Sequence, residues 1–244
     1  MIDAALERAL RDVARRPRLL VASDYDGVLS PIVDDPSAAV SHGPAVDAMA
    51  GIAVCSGVRA VIISGRSLEV LETLAEVPLS VTLVGNHGAQ AVDSDTAAAA
   101  AAVAEALTDL AGSFKGAVVE PKPLGAAFHY RHVREPDDAA VAAREIGDRF
   151  GARIIEGKMV VEIIVGHGDK GSAIAGMREQ WTADAVVFFG DDVTDESVFT
   201  ILGADDVGVK VGPGPTVAGY RVADPVDVGE ALELLLGELR SLSR

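Results

Sequence analysis

Three nearly continuous apolar runs mark the chain, and each is followed directly by polar residues. The runs cover residues 19–22, 60–63 and 186–189, and the polar endings are Ser23–Asp24, Ser64 and Gly190–Asp191. Apolar runs without alternation are typical of strands that are buried on both faces of a parallel sheet. Ligands of such sheets bind beyond the carboxyl ends of the strands, so the polar endings predict the position of a functional site.

Helical periodicity occurs between and after these runs. The predicted helices cover residues 43–51, 67–75, 171–180 and 228–242. Strands that alternate with helices indicate an α/β fold, with a doubly wound, Rossmann-like parallel sheet as its core.

The middle of the chain follows a different pattern. An alanine-rich helix over 96–111 precedes two strands within 117–133 that Pro121, Pro123 and Gly125 separate, a helix over 136–150 and a hairpin over 154–164 with its turn at Gly157. Hairpins with helices indicate a smaller α+β module. We therefore expect a core of residues 1–88 and 166–244, with a second domain of residues 89–165 inserted into it.

The composition indicates a globular protein, with 49% hydrophobic and 24% charged residues. The single cysteine, Cys55, excludes an intramolecular disulfide and a Cys-based zinc site, which favours a reducing compartment. Charges interrupt residues 1–18, so we expect no secretory signal, and residues 97–104 are too few to span a bilayer. We expect a cytoplasmic monomer that does not bind membranes.

The formal net charge of -16 argues against a nucleic-acid partner, which requires a basic face. It also restricts any hypothesis of an anionic substrate. A strongly negative protein repels an anion, so such a site needs its own lysines, arginines or a bound cation.

Two acidic clusters follow apolar runs. Asp24 and Asp26 are two residues apart and leave an extended chain on the same side, and residues 191–196 supply a second cluster. Each cluster alone could be a solvated turn or a helix N-cap. Two clusters at one edge of a sheet favour a site for a hard cation such as Mg²⁺, which prefers oxygen ligands.

Ser64 and Lys170 supply groups that can bind an anion. Ser64 precedes a predicted helix, where a hydroxyl and free N–H groups can hold a phosphate, although it could equally be an ordinary cap. Lys170 lies among glycines before another helix, where it can reach a phosphate oxygen or remain an exposed surface lysine.

The order Asp-x-Asp, Ser, Lys, Asp-Asp-x-x-Asp resembles the haloacid dehalogenase superfamily. The resemblance implies that Asp24 is a nucleophile that forms an aspartyl phosphate and that Asp26 is the general acid and base. It implies that Ser64 and Lys170 hold the phosphoryl oxygens and that Asp195 positions Lys170 or a metal-bound water. Mg²⁺ would be held by the Asp24 side chain, the Asp26 carbonyl and the Asp191 side chain.

Further segments are similar to the trehalose-phosphate phosphatase family, whose members carry a cap of the C2 type. These are residues 190–196 with Phe199, 85–89 and 209–225, and, in the inserted domain, Lys122, 129–131, 156–158 and Glu162. The resemblance implies hydrolysis of trehalose 6-phosphate, a disaccharide phosphate, by a phosphoric monoester hydrolase of trehalose biosynthesis. The substrate-binding residues that it implies are Arg66, His87, Lys122, Arg131, Glu156, Lys158 and Glu162.

The strand period supports part of this assignment independently. It places Lys158, Val160 and Glu162 on one strand face and His129 with Arg131 on another, which could bind sugar hydroxyls or be a solvated outer surface.

Other functions remain open at this point. One is a phosphatase for another glycosyl phosphate, such as sucrose phosphate or a glucosyl- or mannosyl-glycerate phosphate. Another is an NAD-dependent oxidoreductase, because Gly166-x-Gly168-x-x-Gly171 matches a dinucleotide-binding fingerprint. A receiver-like signalling module also has clustered aspartates and a lysine, but it would not need the inserted domain.

Overall fold

The computed structural model describes residues 2–33, 39–88, 94–122, 124–157, 159–165 and 169–242, with the backbone alone at 87, 94 and 95. The chain divides into two compact units, Met1–Ala91 with Asp169–Arg244, and Val92–Gly168. The helices are α1 Ala4–Val13, α2 Gly43–Ala53, α3 Leu68–Ala75, α4 Ser94–Ser113, α5 Pro136–Arg149, α6 Lys170–Trp181, α7 Glu196–Ile201 and α8 Pro225–Leu242. The strands are β1 Leu19–Ser23, β2 Val58–Ile63, β3 Val81–Val84, β4 Val118–Lys122, β5 Gly125–His129, β6 Arg153–Gly157, β7 Val160–Ile164, β8 Ala185–Gly190, β9 Val207–Val211 and β10 Tyr220–Val222.

The first unit is built on a six-stranded parallel sheet in the order β10-β9-β8-β1-β2-β3. The three apolar runs of the sequence become the neighbouring strands β8, β1 and β2. In their register Ser23 lies beside both Ile62 and Phe189, so the polar residues that follow the three strands meet at one edge. The predicted parallel sheet is confirmed.

Helices cover both faces of this sheet because alternate side chains of each strand leave on opposite sides. Leu19 and Val21 of β1 pack into a core that includes residues of α1, α2 and α8. Leu20 and Ala22 pack into a second core with residues of α6 and α7. The predicted doubly wound α/β fold is therefore confirmed.

The second unit is a four-stranded antiparallel sheet in the order β4-β5-β7-β6. Side chains of α4 and α5 pack with Phe128, Val161 and Ile163 into a separate core. In β7 these buried positions alternate with the half-buried Val160 and Glu162, as the strand period predicts. The predicted α+β module is confirmed.

Several details of the second unit differ from the sequence prediction. Gly157 is not the turn, since it ends β6 and pairs with Val160, and Met159 has a φ of 66°. Pro121 does not separate the strands but lies inside β4, an edge strand, where a missing N–H is tolerated. Arg131 lies in a turn beyond the end of β5 and does not share that strand with His129.

Other elements were not predicted or begin elsewhere. Helix α1, which Asp3 caps, and the strands β9 and β10 were missed, and α8 begins at Pro225, since proline fits the first turn of a helix. None of the helices in the described part of the chain has both the length and the apolarity that a membrane crossing requires.

Candidate active site

A buried lysine lies between two carboxylates at the carboxyl edge of the parallel sheet. The Nζ atom of Lys170 is 2.7 Å from Oδ2 of Asp24 and 2.8 Å from Oδ1 of Asp195. Lys170 is 1% exposed and Asp24 is 5% exposed. The sequence suggested a lysine in a glycine-rich loop, whereas the structure has it as the first residue of α6, after the cap Asp169.

The period of β1 explains why these groups meet. Asp24 follows β1 two residues after Ala22 and four after Leu20, so its side chain leaves on the same face as theirs. That face packs on α6 and α7. Its N–H donates to the carbonyl of Phe189 in β8, which continues the sheet pairing by one residue. The carboxylate therefore leaves the sheet toward the helix that begins with Lys170.

One ammonium shared by two buried carboxylates leaves an excess of negative charge. Burial raises the pKa of Asp24 to about 7, with Lys170 opposing the shift and Asp195 adding to it. Burial lowers the pKa of Lys170, but the charges of Asp24 and Asp195 outweigh it, so this pKa lies above 10.5. The lysine stays protonated and the cluster favours a further cation.

The second acidic loop is organised around Asp195. Its Oδ2 atom accepts the N–H groups of Asp191 at 2.9 Å and Asp192 at 3.0 Å, while Oδ1 accepts Lys170. Gly190 makes this turn possible, because a Cβ there would lie 2.5 Å from the Cβ of Asp195. The last predicted motif is thus a tight 3₁₀ turn, Val193–Asp195, and not the start of a regular α-helix.

The two acidic loops touch at Gly27. This residue has a φ of 74°, and a Cβ at this position would lie 2.0 Å from Oδ2 of Asp191. Carboxylate oxygens of Asp24, Asp191 and Asp195 lie within 4.8 Å of one another. Three oxygen donors at this spacing fit a hard divalent cation, the kind of ion that both acidic clusters predict.

The charge of this cluster is also evident at Asp191. Burial raises its pKa to about 6, Asp195 adds to the shift, and Lys170 opposes it. A bound cation would favour the ionised form of each carboxylate, because it supplies the positive charge that the cluster lacks.

Asp26 and Arg66 form a bidentate ion pair beside the cluster. Nε and one terminal nitrogen of Arg66 each lie 2.7 Å from an oxygen of Asp26. The side chain of Asp26 is thus directed to Arg66 and is not part of the carboxylate cluster. The third carboxylate of that cluster belongs to Asp195. Ser64 is buried nearby, and its hydroxyl oxygen accepts the N–H of Arg66 at 3.2 Å.

These groups line one cleft of about 500 Å³. Its polar lining includes Asp24, Asp26, Ser64, Arg66, Lys170 and Asp191, and its apolar lining includes Ile32 and Val33. The structure therefore brings together the residues that the sequence predicted for catalysis and metal binding.

The predicted residues of the second unit are less closely grouped. Nζ of Lys122 and Oε1 of Glu162 form an ion pair at 3.0 Å on one face of the antiparallel sheet. Glu156 pairs in register with Val161, on the face that packs on the helices, and it binds Arg144 of α5 at 2.6 Å. Arg131 is exposed, and Lys158 lies outside the described residues. The side chain of His87, a predicted residue of the first unit, also lies outside them.

A second buried lysine lies close to the site and was not predicted from the sequence. Lys210 is 4% exposed, and its Nζ donates to the main-chain carbonyls of Asp191 at 2.5 Å and Val211 at 2.6 Å. A lysine inside the apolar run Val207–Val211 is the signal that could have identified it, because lysines are rarely buried without a partner.

The dinucleotide fingerprint does not have the context that it requires. Of its three glycines only Gly171 is described, and the preceding strand β7 belongs to the antiparallel sheet. A dinucleotide fingerprint needs a parallel strand that leads into the helix, so the fold contradicts this alternative.

Along the chain, the acidic, serine and lysine groups at the sheet edge follow one another in the order found in haloacid dehalogenase-type cores. The fold and the site define this class of protein. The profile of the family described as Trehalose-phosphatase matches residues 22–224. The chain belongs to this family.

Individual relatives agree with the family match. A trehalose-phosphate phosphatase of Mycobacterium marinum is 34% identical over 250 residues, covering 93% of this chain and 63% of the relative. A trehalose-6-phosphate phosphatase of Escherichia coli is 32% identical over 230 residues, covering 89% and 86%. Other curated relatives are longer, and the chain spans 34% of the length of one of them and 19% of the length of another.

A solved structure supports the fold. The trehalose-6-phosphate phosphatase of Aspergillus fumigatus superposes with a TM-score of 0.66 at 23% identity, covering 97% of this chain and 99% of that one.

Proposed function

We propose that this protein is a Mg²⁺-dependent phosphatase that hydrolyses trehalose 6-phosphate to trehalose and inorganic phosphate. The observation that carries the proposal is the buried cluster of Asp24, Lys170 and Asp195. Asp191 lies close enough to Asp24 and Asp195 for the three carboxylates to bind one divalent cation. The similarity to trehalose-phosphate phosphatases supports the choice of substrate.

An anionic substrate needs positive charge at its binding site because the protein as a whole is negative, and the cleft supplies such charge. The protein carries a formal charge of -16, yet Arg66 and Lys170 line the cleft, and the buried Lys210 binds the main-chain carbonyl of Asp191, another lining residue. A divalent cation would add two positive charges where Asp24 and Asp191 have raised pKa values. A phosphate dianion can then approach a carboxylate nucleophile, since the repulsion is offset locally.

We assign the first half of the reaction to Asp24. Its carboxylate attacks phosphorus, the bond from phosphorus to the sugar oxygen breaks, and Asp26 donates a proton to that oxygen, which leaves an aspartyl phosphate. In the second half Asp26 takes a proton from water, the water oxygen attacks phosphorus, and inorganic phosphate leaves Asp24. The ion pair of Asp26 with Arg66 must open before either proton transfer.

The remaining groups hold the phosphoryl oxygens. Lys170 has three N–H donors, of which two point to Asp24 and Asp195, so the third can donate to a phosphoryl oxygen. Ser64 accepts a backbone N–H, and its hydroxyl proton can serve the same purpose, while Arg66 in the same cleft can contact the substrate. Asp195 holds Lys170 in place.

Asp24, the Asp26 carbonyl and Asp191 would hold Mg²⁺. When bound, the cation neutralises charge on the transferring phosphoryl group and on the carboxylates around it. In the described part of the chain, no hydrogen bond from another residue fixes the Asp191 carboxylate, so its oxygens are available as ligands.

We propose that residues 1–88 and 166–244 are the catalytic core and that residues 89–165 are a cap that recognises the sugar. Lys122 and Glu162, with Lys158 and Arg131, would bind sugar hydroxyls, and His87 would contribute from the core. Glu156 is the weakest member of this set, because it faces the helices and binds Arg144. We propose that the protein is cytoplasmic and monomeric. Light scattering of the purified protein would test the monomeric state.

The decisive experiment measures phosphate release with Mg²⁺ from trehalose 6-phosphate, sucrose 6-phosphate, glucose 6-phosphate and an aryl phosphate. We expect a strong preference for trehalose 6-phosphate and loss of turnover with chelator. Preference for another sugar phosphate would keep the chemistry and replace the substrate. Release from none of the four would contradict the proposed function.

A further inference from the structure

Lys210 is a buried cation that no catalytic role accounts for. It lies in β9 beside Gly190 of β8, at the point where the chain leaves β8 to form the second acidic loop. Both of its hydrogen-bond acceptors are main-chain carbonyls, and no carboxylate in the described part of the chain forms an ion pair with it. The carboxylate of Asp191 is a negative charge near this ammonium but makes no direct ion pair with it, so the role of the buried lysine requires an explanation.

The contacts of Asp191 supply that explanation. Its N–H donates to Asp195 at 2.9 Å, and its carbonyl accepts Nζ of Lys210 at 2.5 Å. The backbone of this residue is therefore held at both polar groups. Its carboxylate, by contrast, receives no hydrogen bond from any described residue.

Orientation of the Asp191 carboxylate thus depends on how its backbone is held. We propose that Lys210 is a positioning residue that orients Asp191 toward a divalent cation, an inference that rests on the proposed Mg²⁺ dependence. Asp195 holds the peptide group before the Cα of Asp191 and Lys210 holds the peptide group after it, so that the carboxylate stays near Asp24. Removal of a residue that orients a metal ligand typically weakens metal binding by about 10- to 100-fold.

A purely electrostatic effect of Lys210 predicts the opposite result. At pH 8, where Asp191 is ionised with or without Lys210, a positive charge near it repels a cation, so removing that charge would strengthen Mg²⁺ binding. Positioning predicts weaker binding when the contact to the Asp191 carbonyl is lost. The sign of the change in Mg²⁺ affinity therefore separates the two explanations.

The test is a calorimetric titration of the full chain with Mg²⁺ at pH 8, without substrate, on the wild type, Lys210→Met and Lys210→Arg. Met fills a similar volume without donors, and we expect its Kd for Mg²⁺ to rise about 10-fold or more. Arg restores charge and donors, so its Kd should fall between the two. Unchanged or tighter binding by Lys210→Met would overturn the inference.

Val209→Ala is the matched control, because Val209 is buried in the same strand but packs on the opposite face. It should lower the melting temperature and leave the Kd for Mg²⁺ unchanged. A loss of affinity in this control equal to that of Lys210→Met would reduce Lys210 to a structural residue and overturn the inference. If Lys210→Met does not fold, Lys210→Gln replaces it, and wild-type affinity in that variant would overturn the inference.

The wild-type titration separates this inference from the function on which it rests. Absence of Mg²⁺ binding by the wild type would contradict the proposed function itself. Binding by the wild type with equal binding by Lys210→Met would contradict only the role of Lys210.

Discussion

The two units place charged residues in different surroundings. In the first unit Asp24, Lys170 and Asp195 are almost fully buried and make ion pairs of 2.7 and 2.8 Å. In the second unit Lys122 and Glu162 pair at 3.0 Å with side chains that are 36% and 27% exposed. The first group is buried and carries an excess of negative charge, whereas the second is partly exposed to solvent.

This difference matches the two chemical tasks that we propose for the units. Phosphoryl transfer needs charges fixed in position before the substrate arrives, because reorganisation would raise the barrier. Recognition of sugar hydroxyls needs donors and acceptors that can exchange water for substrate. Substitutions in the two regions should therefore differ in their effects on stability and on substrate selectivity.

Lys170→Met should have the largest effect. It leaves the carboxylates of Asp24 and Asp195 buried without their cation, which destabilises a protein by about 3–5 kcal/mol. The shift of the urea unfolding midpoint measures this loss, and phosphate release should also cease. Lys115→Met, at an exposed position, is the control and should change neither. An unchanged midpoint for Lys170→Met would show that the cluster is not organised by this lysine.

Gly27→Ala should separate the two acidic loops. The added Cβ would meet the Asp191 carboxylate at 2.0 Å, and alanine is disfavoured at a φ of 74°. We expect a loss of Mg²⁺ affinity together with a loss of stability on the order of 1–3 kcal/mol. Titration calorimetry and thermal unfolding measure these effects. Gly43→Ala has open space around its Cβ and serves as the control.

Mg²⁺ affinity should fall as the pH is lowered. Asp191, with a pKa of about 6, and Asp24, with a pKa of about 7, must lose their protons before they can act as ligands. Titrations at pH 8 and pH 5.5 should show clearly weaker binding at the lower pH, and equal affinity would contradict the raised pKa values.

The same pKa values predict how the stability of the metal-free protein depends on pH. Both pKa values lie above the ordinary 3.8, so the folded state holds these protons more tightly than the unfolded chain. This contribution is fully present below about pH 3.8 and is lost as the pH rises through about 6 and 7. The melting temperature should therefore fall between about pH 3.8 and pH 7 through the contribution of these two groups. At neutral pH, added Mg²⁺ should raise the melting temperature again.

Lys122→Ala should have the smallest effect on stability. A partly exposed ion pair contributes less than about 1 kcal/mol, so the melting temperature should hardly change. The proposed sugar contact predicts a higher KM for trehalose 6-phosphate with an unchanged KM for an aryl phosphate. Arg144→Ala is the comparison, since Arg144 pairs with Glu156 on the helix face and should change neither KM. Equal increases of KM on both substrates would remove Lys122 from sugar recognition.

Local pattern explains why much of the core could be predicted. The unbroken apolar runs before Asp24, Ser64 and Asp191 indicate central parallel strands, and their common edge follows from the direction of the strands. The pairing of Asp26 with Arg66 and the contact of Lys210 with Asp191 depend on side chains distant in sequence, which local pattern does not report.

In the second unit, the pairing register of the β6–β7 hairpin determines which side chains share a face, and the sequence did not predict that register. A shift of the hairpin turn by one residue exchanges the two faces of a strand, and this shift separates Glu156 from Glu162. Helix α1 could have been found from its cap Asp3 and the spacing of Leu6, Leu10 and Val13. In β9 the apolar run is interrupted by Gly208 and Lys210, and β10 has only three residues, so neither strand has a clear apolar pattern.

The most direct test of the central claim compares the wild type with Asp24→Asn in phosphate release from trehalose 6-phosphate with Mg²⁺. Asn removes the nucleophilic charge while keeping the shape of the side chain, and Asp47→Asn at an exposed position is the control. We predict that Asp24→Asn folds with a melting temperature at least equal to that of the wild type and releases no phosphate above background. Near-wild-type release by Asp24→Asn would contradict the aspartyl-phosphate route.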